Sequence, residues 1–110
     1  MQHFVSELAG LKEKLLRMAS YAESSVRRAV QALVTRDHEL ALRVRNEDGA
    51  IDRFEIEVDE LAIQLLAKAP FATDLRLITA AMKISQNLER VGDEATQIAK
   101  RAATWARNPL

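Results

Sequence analysis

Proline falls at only two positions in this chain, Pro70 and Pro109, and glycine at three, Gly10, Gly49 and Gly92, leaving long stretches without a helix breaker. A chain of 110 residues so poor in punctuation and so rich in Ala and Leu lacks the turn residues that an antiparallel sheet consumes. An all-α protein follows, built from a few long rods.

The first periodic segment sets Phe4, Leu8, Leu11, Leu15, Met18, Ala22, Ala29 and Ala32 on one stripe, widened by Leu16, Ala19, Val26, Val30 and Leu33. Thr35-Arg36-Asp37 interrupts it and offers an N-cap. Leu40, Val44, Ile51, Phe54, Val58, Leu61 and Leu65 then resume the stripe. Pro70 ends this second rod, because it lacks an N–H and disfavours the α conformation at Ala69, and Thr73 or Asp74 is placed to cap a third. That third rod runs to Trp105, ahead of a stop at Asn108-Pro109. The predicted helices span residues about 3–35, 37–68 and 73–106. Each is on the order of 45 Å long, and short connections make neighbours antiparallel, so residues 1–110 form one elongated antiparallel three-helix bundle. A chain of this size buries only about 65% of its unfolded surface, and partners are expected to complete the core.

The third rod carries two apolar stripes. Leu77, Ala81, Ile84, Leu88, Val91, Ala95, Ile98, Ala102 and Trp105 make a heptad seam expected to face the core. Leu75, Ile78 and Met82 begin a second stripe, leaving Lys83, Arg90, Glu94, Gln97 and Arg101 as the polar face. Helices one and two, or a second copy or repeat, can cover the extra stripe.

Charge narrows the function. The 16 basic and 16 acidic residues cancel, so no excess of positive charge exists to hold nucleic acid or an anionic membrane. Cysteine is absent and histidine occurs only at His3 and His38, which excludes disulfides, thiolate zinc sites, Cys nucleophiles and multi-histidine metal centres. His3 lies at a terminus and His38 beside a capping residue, and neither is assigned a role. The first residues lack the basic flank and apolar run of a leader, and no stretch reaches the roughly 18 apolar residues of a membrane span, which points to a cytoplasmic protein.

Any metal must therefore be held by carboxylates. Stepping by seven from Leu75 and Met82 lands on Glu89, an acid at a core-like position, and Asp93 follows four residues later over nearly the same face. Like charges at that spacing cost a helix about 0.2–0.5 kcal/mol, so something should offset them. Gly92, beside the pair, would let a neighbouring backbone or ligand approach closely. Asp48 and Asp52 repeat the arrangement on the second rod, with Glu55 and Asp59 extending the acidic stripe. Counting from the turns puts Asp48/Asp52, Glu89/Asp93 and, on the first rod, Glu23 at one height. Five acids from three rods would suit Mg²⁺, Mn²⁺, Ca²⁺, Zn²⁺ or iron. A solvated acidic face is the alternative. Arg53 and Arg90 point away from the pairs, and Lys100 is the basic residue best placed to bridge them.

The span DLRLITAAMKISQNLERVGDEATQIAKRA, Asp74 to Ala102, resembles the third helix of a repeat in the PhoU family of phosphate-transport regulators. The resemblance rests on Asp74-Leu75-Arg76 at its start and Glu89-Arg90-Val91-Gly92-Asp93 at its core. Asp48, Asp52 and the Met18 to Asp37 stretch holding Glu23 are similar to the family's first repeat. The resemblance implies a three-helix repeat, a cytoplasmic location and E(D)xxxD motifs that bind metal clusters in some members. It also implies negative regulation of phosphate uptake and of the phosphate-starvation response, through contact with a phosphate ABC transporter and its sensor kinase, peripheral to the membrane at most. Members usually carry two repeats, and this chain has the length of one. Self-association to a homodimer is one way to replace the other half; a fragment or a stand-alone variant are the others.

The chemistry expected is thus that of a non-enzymatic, metal-binding regulator, with a metal-free dimerisation or scaffold module as the alternative. A ferritin-like di-iron oxidase would need Glu-x-x-His motifs, and neither histidine has a Glu three residues before it. Ser20, Ser24, Ser25 and Ser85 have no histidine placed to act as base.

Overall fold

The computed structural model describes residues 2–107, all helical apart from short turns. Helix α1 is Gln2–Thr35, α2 His38–Asn46, α3 Asp48–Leu66 and α4 Ala72–Arg107. These four helices make three rods, because α2 and α3 follow one another along a single side of a molecule 61 × 18 × 16 Å in extent. The expected stop at Asn108-Pro109 lies outside the described residues.

The first turn is built as its sequence suggests. Arg36 takes a left-handed conformation (φ 57°), and the Asp37 carboxylate accepts the Leu40 N–H at 3.0 Å as the N-cap of α2. The Arg36 guanidinium donates to the Trp105 carbonyl, and His38 Nδ1 lies 3.1 Å from the Ala103 carbonyl, tying this turn to the end of α4.

Two expectations about the rods need correction. The second rod is not one helix from 37 to 68, since it breaks at Glu47, whose φ/ψ of −92°/2° ends α2. Asn46, Asp48 and Gly49 are poor helix formers, and the Glu47 carbonyl accepts the Tyr21 hydroxyl at 2.7 Å as well as the Ala50 N–H. Nor do Thr73 or Asp74 cap the third rod. The Phe71 carbonyl already receives the Asp74 and Leu75 N–H groups, which puts both residues inside the first turn of α4.

Contacts set the directions of the rods. Met18 meets Ser85 (3.4 Å from Oγ to Sδ) and Ala32 packs with Ala102, a nearly constant offset in number, so α1 and α4 run parallel. Ile51 meets Gly92 while Leu65 packs with Ile78, so α3 and α4 run antiparallel. The core changes character along the axis. Phe4, Leu11, Met18, Ile51, Val58, Leu65 and Ile78 fill one end, whereas Ala29, Ala32, Ala41, Ala95, Ala99, Ala102 and Ala103 fill the other with Val44.

The buried stripes of the first two rods are those expected except that Leu16 and Val30, placed on the widened stripe of the first rod, are 71 and 43% exposed, and on α4 the seam is displaced. Ile78, Ala81, Ser85, Gly92, Ala95, Thr96, Ala99, Ala102 and Ala103 are buried, while Leu77, Ile84, Val91 and Trp105 are 41, 46, 36 and 56% exposed. Small side chains at 85, 92 and 99 let α4 sit close against its neighbours, and that contact wins over the larger apolar residues one step before each.

Candidate functional site

The site begins with a missing side chain. A Cβ on Gly92 would lie 3.0–3.3 Å from Cγ2, Cγ1 and Cβ of Ile51, so glycine is what allows α3 and α4 to approach at this height. Asp52 follows Ile51 and Asp93 follows Gly92, and both are carried to the same rim of the contact. Asp52, Glu89 and Asp93 each offer a carboxylate oxygen, and these atoms lie within 4.8 Å of one another. Among the described residues no ion pair engages any of the three.

Three carboxylates so close resist full ionisation. Glu89 is pushed up from 4.5 to about 7, first by its hydrogen bond to Asp93, then by burial and the charges of Asp93, Glu55 and Asp52. In the absence of a cation a shared proton between Glu89 and Asp93 relieves the repulsion. Glu55 is also raised, by burial first and then by Asp59, Asp52 and Asp93. The acidic strip thus continues along α3, where one carboxylate oxygen of Asp59 is buried without a hydrogen-bond partner. An all-oxygen donor set with unbalanced negative charge and an unsatisfied oxygen nearby fits a hard or borderline cation.

Of the five residues expected to converge, the structure joins Asp52, Glu89 and Asp93 and leaves out Glu23 and Asp48. The height assigned to Glu23 is right, since α1 residues lie level with α4 residues about 67 further on, but its direction is wrong. Tyr21 packs against Phe54 of α3 in a tilted arrangement with ring centroids 6.0 Å apart, and Glu23 is about 200° further round the helix, facing away from α3. It stands exposed, 3.6 Å from Arg27. Asp48 is the exposed first residue of α3, one turn short of the trio and within electrostatic reach of Tyr21. Lys100 is exposed and makes no ion pair with the trio. Glu55 and Asp59 join the strip more closely than the sequence count gave them credit for, although their spacing of three and four from Asp52 already put them on its face.

Comparison with known proteins agrees with this architecture. The PhoU domain matches the chain over residues 15–102. The phosphate-specific transport system accessory protein PhoU homologue of Pseudomonas putida is 44% identical over 102 residues, which cover 92% of this chain and 40% of that protein. The homologue of the same description from Aquifex aeolicus is 38% identical, over 94% of this chain and 47% of its own length. The crystal structure of PhoU from Pseudomonas aeruginosa superimposes with a TM-score of 0.90 at 40% identity, covering 94% of this chain and 50% of that one. The chain therefore spans half or less of the length of these relatives.

Proposed function

The chain belongs to the PhoU domain family, and from that premise we propose that it is a non-catalytic regulator of phosphate uptake and of the phosphate-starvation response, working in the cytoplasm. Its relatives' description as accessory proteins of phosphate-specific transport supports the reading. No helix among the described residues is long and apolar enough to cross a membrane. Contact with the phosphate ABC transporter and its sensor kinase is then peripheral, made through the outer surfaces of the rods.

The convergence of Asp52, Glu89 and Asp93 is the observation that carries the mechanism. A divalent or trivalent ion held by these carboxylates, with Glu55 and Asp59 as the next acids along α3, supplies the positive charge the site lacks. Filling it favours the ionised form of Glu89 and holds α3 against α4, fixing the surface offered to a partner. Calorimetric titration of the metal-free chain with Mn²⁺, and thermal melting with and without EDTA, tests this. At a hundredfold excess over Kd a bound ion adds about 2.7 kcal/mol, a shift on the order of 10 °C for a domain of this size. The triple variant Asp52→Asn/Glu89→Gln/Asp93→Asn should lose that shift while staying helical. Identical melting with and without EDTA, and no heat on titration, would defeat the metal half. Binding of the sensor kinase and of the transporter's cytoplasmic subunits, with and without Mn²⁺, then tests the regulatory half.

A second reading has one observation in its favour. The hydrogen bond between Glu89 and Asp93 lets a proton do what an ion would, which makes the bundle a metal-free scaffold whose acids are partly neutralised. Retention of partner binding in EDTA would favour it.

A further inference from the structure

Four of the twelve large hydrophobic side chains exposed among the described residues gather on the side of the molecule that carries the acids: Ile56, Ile63, Phe71 and Leu75, at 55, 60, 60 and 40%. On α3, Asp52, Ile56, Asp59 and Ile63 follow at spacings of four, three and four and make one stripe. On α4, Leu75, Met82, Glu89 and Asp93 make another, at spacings of seven, seven and four. Ile51 opposite Gly92 and Leu65 beside Ile78 fix the register of the antiparallel pair, which sets Ile63 level with Ala80, Ile56 with Asn87 and Asp52 with Val91. The two stripes therefore border one groove. It is apolar towards the turn at Pro70, where Phe71 stands, and increasingly acidic towards Asp93. The rest of the bundle lies on the far side, since Phe54, which meets Tyr21 of α1, is about 200° round α3 from Ile56.

We propose that this α3/α4 groove receives an amphipathic helix of a partner protein, whose apolar residues rest on Ile63, Leu75 and Met82 and whose Lys or Arg residues, about three turns further along, reach Asp52, Glu89 and Asp93. The inference rests on the regulatory reading above and names the kind of element that such a regulator would take. The four exposed apolar side chains present on the order of 400 Å² to water, the size of a functional patch on a monomer and about half of what each partner brings to a standard interface. One helix matches that area; a whole domain does not. A second copy is excluded by charge, because a two-fold axis through the groove sets the acids of one copy against either the acids or the apolar residues of the other, and both arrangements take charge out of water unpaired. An added strand has no sheet edge to pair with, since both elements that border the groove are helices. The acids decide the sign of the partner. Among the described residues no ion pair engages Asp52, Glu89 or Asp93, and a Lys or Arg brings donors as well as charge to such carboxylates. A metal ion on the trio does not remove this preference, because with Glu55 and Asp59 the strip still carries a surplus of negative charge.

The probe is a synthetic helix of about 18 residues, long enough at 1.5 Å per residue to run from Leu75 to Asp93. It carries leucines on one face of its first three turns and lysines on its last two; a control peptide has glutamates in place of the lysines. Fluorescence anisotropy of the labelled peptides against the intact chain, in EDTA and in Mn²⁺, should give the lysine peptide a Kd on the order of 10 µM and the glutamate peptide one at least about tenfold weaker. Ile63→Glu should weaken the lysine peptide by about tenfold or more with unchanged helical circular dichroism, whereas Ile84→Glu, at an exposed position on the opposite flank of α4, should leave it unchanged. The triple variant Asp52→Asn/Glu89→Gln/Asp93→Asn should narrow the gap between the two peptides. No binding in either buffer, equal binding of both peptides, indifference to Ile63→Glu, or loss through Ile84→Glu would each overturn the proposal. Peptide binding with no heat from Mn²⁺ would defeat the metal reading and leave this one standing; heat from Mn²⁺ with no peptide binding would do the reverse.

Discussion

At the scale of single residues, two positions control the acidic site by different means. Glu89 takes up a proton on folding that it would not hold as a free side chain, because Asp93 accepts a hydrogen bond from its protonated form. Its folded value, about 7, stands above the ordinary 4.5. The stabilising contribution of that bond is thus complete below about pH 4.5 and is lost as pH rises through about 7. In EDTA the urea midpoint should fall between about pH 5 and pH 8, and Glu89→Gln, which keeps a neutral hydrogen-bonding group, should flatten the difference from wild type. With an ion bound the slope reverses, since the cation competes with the proton, and binding near neutral pH should release protons to buffer. Gly92 acts by absence. Ile51 is 2% exposed and presents its two γ carbons and Cβ, the branched base of the side chain, to the space a Gly92→Ala methyl would need. The gain of about 1 kcal/mol in helix propensity is expected to lose to about 1–3 kcal/mol of overpacking. Urea unfolding should show the variant destabilised, and Ile51→Val alongside it, which keeps Cβ and both γ carbons, should not recover the loss.

At the scale of elements, the second rod and α4 carry most of the information that the sequence hides. The break at Glu47 depends on Tyr21, 26 residues earlier, whose hydroxyl binds the Glu47 carbonyl, and on Arg28, whose guanidinium lies 2.6 Å from the Glu47 carboxylate. Tyr21→Phe keeps the ring on Phe54 and removes the hydroxyl, and is expected to cost about 0.5–1.5 kcal/mol in thermal or urea unfolding. The cap at Asp37, by contrast, was legible, because capping is local chemistry within four residues. Asp37→Ala should cost about 1 kcal/mol. On α4 periodicity alone could not choose between two heptads a single residue apart. Hydropathy favours Leu77, Ile84 and Val91, yet the bundle buries Ile78, Ser85, Gly92 and Ala99.

At the scale of the whole molecule, the two ends of the bundle should respond oppositely to changes of size. Leu65 is fully buried among Phe4, Leu11 and Ile78, and Leu65→Ala should leave a cavity costing about 2–5 kcal/mol. Ala102 is buried among Ala32, Ala41 and Ala103, where the rods meet through methyl groups. Ala102→Leu should therefore cost about 1–3 kcal/mol by forcing them apart. Calorimetry on the two variants checks both signs of volume change in one fold. The close alanine end and the Gly92 contact together hold α4 near its neighbours, and the side chains excluded by that proximity, Ile84 and Val91 among them, are the ones left on the outer face.

Helix content, the turns at Arg36 and near Pro70, the buried stripes of the first two rods and the height of the acids along the axis were all written in the order of residues. Each depends on local conformational preference or on rise per residue, which sequence distance measures directly. The azimuth of α4, and which neighbour each face of α1 meets, belong to the tertiary structure alone. These decided that Asp52, Glu89 and Asp93 meet while Glu23, at the same height, faces the other way, and that small residues, not large ones, face inward on α4. Rotation of a rod about its axis is set by which side chains on all its neighbours pack most closely, and no single stripe records that sum.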